Sequence, residues 1–361
     1  MNHPYSDAPD YRRWRAGVAD AAPGMLDPVV AFPFTIGYGQ KIAAAGSCFA
    51  QHVARHLRAR GFAFLDAEPA HPMLPADTAQ AFGYGIFSAR YGNLYTSRQL
   101  LQLLRRAYGR FAPADDVWSQ DDGRCYDPFR PGIQPGGFAT RREYDLDRAQ
   151  HFAAVRSVFE QADVLIFTLG LTECWVSRED GAAYPMCPGT VAGEYDPLRH
   201  ELLNLEVEDV ESDMRMFIDE LHAVNPSAKV ILTVSPVPLA ATALDRHVLV
   251  STTASKAVLR VAAERLAKRP SVAYFPAYEI ITAPSRGKGY FSENLRSIRE
   301  EGVEHVMRCF FRHACGQEAG PESPLSDPSV DNEDFMARMQ EVVDTLCEEA
   351  QLDSPPTPFD R

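Results

Sequence analysis

Apolar positions along the chain fall into two kinds of run. The first is short, near-continuous and bounded by turn residues: KIAAAGSCFA (41–50), DVLIFTLGLTE (163–173), KVILTVSPVP (229–238) and SVAYFPAYEII (271–281). Runs of this kind predict strands buried on both faces. A shorter candidate strand is FAFLDAE (62–68). The second kind repeats at helical spacing, in 51–61, 97–111, 151–162, 207–226, 253–270 and 302–315. Val53, Leu57 and Phe62 mark the first, with Gly61 as its stop; Leu100, Leu101, Leu103, Leu104 and Tyr108 line the second. Buried strands alternating with helices predict a parallel sheet covered on both sides, in a doubly wound order. The expected fold is therefore α/β, a three-layer α/β/α sandwich. In such sheets ligands bind beyond the C-terminal strand ends, which picks out the turns after Ala45, Leu169, Val234 and Ile281.

Between these runs lie Pro- and Gly-rich stretches at 112–145 and 180–200, which read as insertions. Residues 1–35 read as a polar lead-in, 36–316 as the α/β body, and 317–361 as a linker and tail. Within the tail, 331–349 has an amphipathic helical pattern, with Phe335, Met336, Met339, Val342, Val343 and Leu346 on one stripe.

The net charge of −13 over 361 residues is unevenly placed: 317–361 holds twelve acidic and two basic residues, while the rest holds 37 and 34. An acidic tail with no basic stripe elsewhere argues against a nucleic-acid or membrane partner. Its amphipathic helix is suited to a protein partner or to self-association. No run approaches the roughly 20 apolar residues of a membrane helix. No apolar signal segment opens the chain, so a cytoplasmic location is expected. Seven cysteines at irregular spacing, with no C-x-x-C, suit reduced thiols rather than a disulfide framework or zinc site. No cofactor or metal is expected.

The most informative turn is Ala45-Gly46-Ser47-Cys48-Phe49-Ala50. Small residues allow a sharp strand-to-helix turn there. A serine at a helix start sits among unpaired N–H groups that stabilise a developing oxyanion, where an acyl-transfer enzyme places its nucleophile. The same position also suits a plain helix cap. Cys48 is a rival nucleophile at the same helix start, or a small buried apolar residue.

AAGSCFAQHVARHL (44–57) resembles the defining motif of the GSCFA family, a branch of the SGNH/GDSL hydrolase superfamily. Seven further blocks resemble that family in order: YGNLYTSRQLLQL (91–103), YDPFRPGIQPGGF (126–138), FTLGLTECW (167–175), TVSPVPLAAT (233–242), RHVLVSTTASKAVLR (246–260), YFPAYEII (274–281) and GVEHVM (302–307). The resemblance spans roughly residues 35–315. It implies a flavodoxin-like, SGNH-hydrolase-like sandwich with Ser47 as the nucleophilic serine. The superfamily draws oxyanion donors from a glycine and an asparagine, which places Gly92 and Asn93 in that region. Its Gly-x-Asn-Asp run falls on Gly170-Leu171-Thr172-Glu173, so Thr172 stands where the asparagine amide would be. Its hydroxyl can donate one bond instead. Glu173 either orients a base or substrate or is simply a surface carboxylate.

The resemblance also implies an Asp-x-x-His before the last helix, supplying a base and its orienter. Counting back from Gly302, that pattern falls on Asn294-Leu295-Arg296-Ser297, and neither residue is present. A serine without a base is a poor nucleophile near neutral pH. His305 and His247 are the candidate replacements, and Ser255-Lys256 offers a Ser–Lys arrangement or, more simply, a helix-surface lysine. His52 and His56 are expected to face away. Arg296 can clamp an anionic substrate group. Trp118, Tyr126, Phe129, Arg130, Trp175 and Tyr184, on the insertions, either face a small-molecule or carbohydrate ester or simply pack those insertions. The expected function is a serine esterase or O-acyltransferase. The alternative is a catalytically impaired ligand-binding or scaffold protein on the same fold.

Overall fold

The computed structural model describes residues 3–47, 49–120, 122–284 and 289–316. Cys48 and the acidic tail with its expected 331–349 helix lie outside the described residues.

From the N-terminus, β1 (Ile42–Gly46) leads into α1 (Phe49–Ala59), a short α2 (Ala76–Ala81) and α3 (Ser97–Ala107). A two-stranded ribbon, β2 (Trp118–Ser119) and β3 (Cys125–Tyr126), precedes α4 (Arg141–Gln161) and β4 (Val164–Leu169). Next come β5 (Glu173–Ser177), β6 (Ala183–Tyr184), β7 (His200–Asn204), α5 (Val207–Val224) and β8 (Lys229–Val234). Then follow α6 (Val248–Leu266), β9 (Val272–Tyr274), α7 (Ala277–Thr282) and α8 (Glu300–Ala314).

The four apolar runs form one parallel sheet in the order β1-β4-β8-β9. Alternate residues of each strand enter different cores. Ala43, Ala45, Leu165, Phe167, Leu169, Val230 and Leu232 pack with Leu100, Val155, Phe217 and Leu259 of α3, α4, α5 and α6. Ile42, Val164, Ile166 and Ile231 pack with Phe49, Leu57, Ile280, Val306 and Phe310 of α1, α7 and α8. Both faces are dry, which is why the strands read as continuous apolar runs rather than alternating ones. Each buried Val, Leu, Ile or Phe among them stabilises the fold by roughly 1.5–3 kcal/mol. The architecture is the expected three-layer α/β/α sandwich.

The expected strand at 62–68 is reduced to one parallel bridge, Phe64 to Ile42, on the far side of β1. Beyond it Ser88 takes over the edge: its Oγ accepts from Ala44 N at 3.0 Å and its N–H donates to Ala44 O. The last strand also departs from expectation. It ends at Tyr274, and residues 277–282 are the helix α7, with Pro276 at its N-cap. The corresponding strand end is therefore Tyr274, not Ile281.

Two features escaped the sequence pattern. Helix α4 starts ten residues before the expected 151, where Thr140 Oγ1 accepts from Glu143 N and the polar first turns lie in solvent. In addition, β6-β5-β7 form a small antiparallel sheet across the second insertion. Gln102 of α3 ties it down, accepting from Ala183 N and donating to Gly181 O, both at 2.8 Å. Trp118, Phe129 and Tyr184 fill a core of their own, with Tyr126 and Trp175 packed against it. These rings pack the insertions and do not form an open ligand platform. Arg130 is equally enclosed, paired with Asp127 and Asp147 at 2.7 Å each.

The lead-in is a strap across α8. His305 and Arg308 bond Leu26 O and Gly24 O, while Arg312 and His313 pair with Asp27. Among the described residues no helix is long and apolar enough to cross a membrane.

Candidate active site

Ser47 follows β1 directly, at the C-terminal edge of the sheet, and α1 opens two residues later. The turn depends on Gly46, whose φ is 138° and where a Cβ would stand 2.5 Å from Thr168 O. No other residue combines that backbone angle with so close an approach to β4. Ala50 N donates to Ser47 O at 2.9 Å, so the serine opens the first turn of the helix.

Two loops close around it. Leu94 N donates to Gly46 O at 2.9 Å, which brings Gly92 and the buried Asn93 alongside the end of β1. Tyr95 O then accepts from Gly170 N at 3.0 Å and Leu171 N at 2.9 Å, joining this loop to the end of β4. Gly170 is wedged against the serine: a Cβ there would lie 3.0 Å from both Ser47 Cβ and Tyr95 O. Lys256, from the middle of α6, is 3% exposed and its Nζ donates to Gly170 O at 2.7 Å. It is thus a buried lysine and not the expected helix-surface one. Its neighbour Ser255 accepts from Thr172 N at 3.1 Å.

Ser47 itself is 5% exposed, and its Oγ has no hydrogen-bond partner among the described residues. The hydroxyls of Thr168 and Thr233 share that condition. They lie in one register row with Gly46, across β1, β4 and β8. Three buried hydroxyls with no partner among the described residues therefore gather at the C-terminal ends of the central strands. Such groups are costly in a merely structural core.

The remaining expected residues sit elsewhere or hold the frame. All ten histidines are among the described residues, and none is within hydrogen-bond distance of Ser47 Oγ. His305 accepts from Tyr290 OH at Nδ1 and donates to Leu26 O from Nε2, both at 2.7 Å. Burial, and then the Arg308 charge, lower its pKa. His247 is exposed and caps α6, its Nδ1 accepting from Leu249 N at 3.1 Å. His56 turns toward α8, 3.7 Å from Glu300, and burial lowers the pKa of His52 to about 3.

Thr172 Oγ1 donates to Asn204 Oδ1 at 2.6 Å and does not point a free donor at the serine. The N–H groups of Gly170, Leu171 and Thr172 are likewise taken within the protein. Glu173 accepts from Thr242 Oγ1 and Ala243 N, fastening the loop after β8. Asn294 closes its own turn: Oδ1 accepts from Arg296 N and Ser297 N, and Nδ2 donates to Ser297 Oγ at 3.0 Å. Arg296 donates to Pro238 O, which holds this turn near the end of β8. Among the described residues no cluster of His, Cys, Asp or Glu is arranged to hold a metal. Burial pushes Cys174, Cys309 and Cys315 up to about 12, so these thiols are not thiolates near neutral pH.

The GSCFA family profile matches residues 41–310, three quarters of the chain and the whole of this site. The chain belongs to the GSCFA family. No curated protein matches this GSCFA chain. Solved structures with some likeness include a carbohydrate esterase family 3 from Talaromyces cellulolyticus, at 9% identity and TM-score 0.36 over 75% of this chain and 94% of that one. An acetyl esterase mutant with acetate ion shows 10% identity and TM-score 0.31, over 74% and 92%. The acetyl xylan esterase Est2A from the rumen bacterium Butyrivibrio proteoclasticus shows 13% and 0.28, over 75% and 62%.

Proposed function

We propose that this GSCFA protein is a serine enzyme of acyl esters, with Ser47 as its nucleophile. The observation that carries the reading is the Ser47 hydroxyl. It stands at the ligand-binding edge of a doubly wound sheet, at the start of a helix, and bonds none of the described residues. Ser47 Oγ bonds to the acyl carbonyl carbon and the alcohol departs with a proton. Water or an acceptor hydroxyl, such as that of a sugar, then takes the acyl group. Hydrolysis and transfer share the first half of this sequence. The loop that carries Asn93 is held beside the end of β1 by Leu94 N to Gly46 O, which supports a role for that loop in holding the oxyanion.

A second reading has an observation of its own. No imidazole reaches Ser47, and the residue is 5% exposed, as suits a binding protein built on an enzyme fold. One experiment separates the two. The full chain is treated with an alkyl fluorophosphonate and digested for mass spectrometry, alongside Ser47→Ala. A phosphonate on the peptide bearing Ser47, with turnover of an aryl acetate that Ser47→Ala loses, supports the enzyme. An unlabelled Ser47 in folded protein supports the binder.

A further inference from the structure

We infer that Lys256 is the base that takes the proton of Ser47, in place of the histidine this chain lacks. This rests on Ser47 being the nucleophile. The amine and the hydroxyl meet the same residue from two sides: Nζ bonds the carbonyl of Gly170 at 2.7 Å, while the Cα side of Gly170 is pressed against Ser47 Cβ. Ser47 Oγ bonds none of the described residues, Lys256 Nζ included, so the transfer requires χ1 to turn the hydroxyl toward the amine, and that turn breaks no bond among those residues.

The frame around the pair is stiff. Consecutive side chains of α6, Ser255 and Lys256, hold the 170–172 turn by Thr172 N and Gly170 O. The same turn is held from the other side by Tyr95 O. Lys256 is 3% exposed, and withdrawal from water is the condition under which lysines act as general bases near neutral pH. Nine of the ten imidazoles are engaged elsewhere: His3 takes Tyr5 N, His71 Met73 N, His151 is on Glu68, His200 on Asp196 N, His222 on Ala228 O and His313 on Asp27, besides His56, His247 and His305 described above. The tenth, His52, lies beside the Phe49 ring and makes no bond to Ser47 Oγ.

The chemistry balances without a further reactant. The neutral amine accepts the Oγ proton as Oγ bonds to the acyl carbon, and the resulting ammonium returns it to the departing alkoxide. In the second half the amine takes a proton from water or the acceptor alcohol, and the ammonium gives it to Ser47 Oγ as the acyl group leaves.

The test is the rate of fluorophosphonate labelling of Ser47 in the full chain, from about pH 6 to about pH 10, in wild type, Lys256→Gln and Lys256→Arg. Both variants should label at least ~100-fold more slowly. The arginine variant matters because it keeps the charge and cannot accept a proton. Wild-type speed in folded Lys256→Arg overturns the role of Lys256 and leaves Ser47 standing. Failure of wild type to label sinks the nucleophile itself, and the lysine with it. Should neither lysine variant melt cooperatively, labelling is compared in His247→Ala and His305→Gln. Undiminished rates in both support Lys256, and a ~100-fold loss in either folded variant overturns it.

Discussion

His151 makes the fold sensitive to mild acid. Its ring is 1% exposed and its Nδ1 lies 2.9 Å from Glu68 Oε2. Burial, and next the charge of Arg130, lower its pKa from 6.5 to about 4, although Glu68 pulls the other way. Burial alone would raise Glu68. The hydrogen bond from His151, the charge of Arg130 and the Arg90 N–H outweigh it and hold Glu68 near about 2. Near neutral pH the pair is therefore a carboxylate accepting the Nδ1–H of a neutral imidazole. Between pH 6.5 and about 4 the unfolded chain binds a proton that the native ring refuses. Stability is complete above that window and is lost as the pH falls through it. Linkage with these two values gives about 2 kcal/mol lost between about pH 7 and pH 5. Glu68 adds little there, because its contribution is lost only below its unfolded value of 4.5. His151→Asn keeps an N–H facing Glu68 and cannot titrate. Urea unfolding of both proteins at the two pH values isolates the effect, since every other histidine is common to them. Wild type should lose about 2 kcal/mol more than the variant. Equal losses would refute the assignment of a neutral, buried His151.

Ser47→Ala should raise stability by about 1 kcal/mol while abolishing labelling, since it removes a buried hydroxyl with no partner among the described residues; a lower melting temperature would show that the hydroxyl is bonded in solution. Thr168→Val and Thr233→Val should each raise the melting temperature by about 2–4 °C for the same reason, read by calorimetry. Gly46→Ala should cost about 3 kcal/mol or more, because its Cβ meets Thr168 O at 2.5 Å and φ is 138°; soluble yield and melting report it. Asn225→Ala should cost about 2–3 kcal/mol by orphaning Phe159 O and Ala162 O, which its Nδ2 now satisfies at 3.0 and 2.8 Å, and denaturant midpoints measure the loss.

The layers of this protein, and the edge at which Ser47 stands, were legible in the chain alone. Burial on both faces leaves continuous apolar runs, and such runs separated by amphipathic helices admit few topologies. Gly46 was legible for a related reason, since a turn that tight tolerates only small residues. The strand-like 277–282 and the polar start of α4 were misread because local pattern does not reveal a proline cap or a helix whose first turns face water. Which of the candidate groups comes to lie beside the serine was not legible. His305 and Lys256 look equivalent along the sequence, as basic residues on helices that flank the sheet. Folding sends the first under the N-terminal strap to Leu26 and Tyr290, and the second to Gly170 beside Ser47. The periodicity of a helix says which side is buried, but which buried group meets which depends on contacts between residues 86 and 279 positions apart. Only the packing of one layer on another decides those.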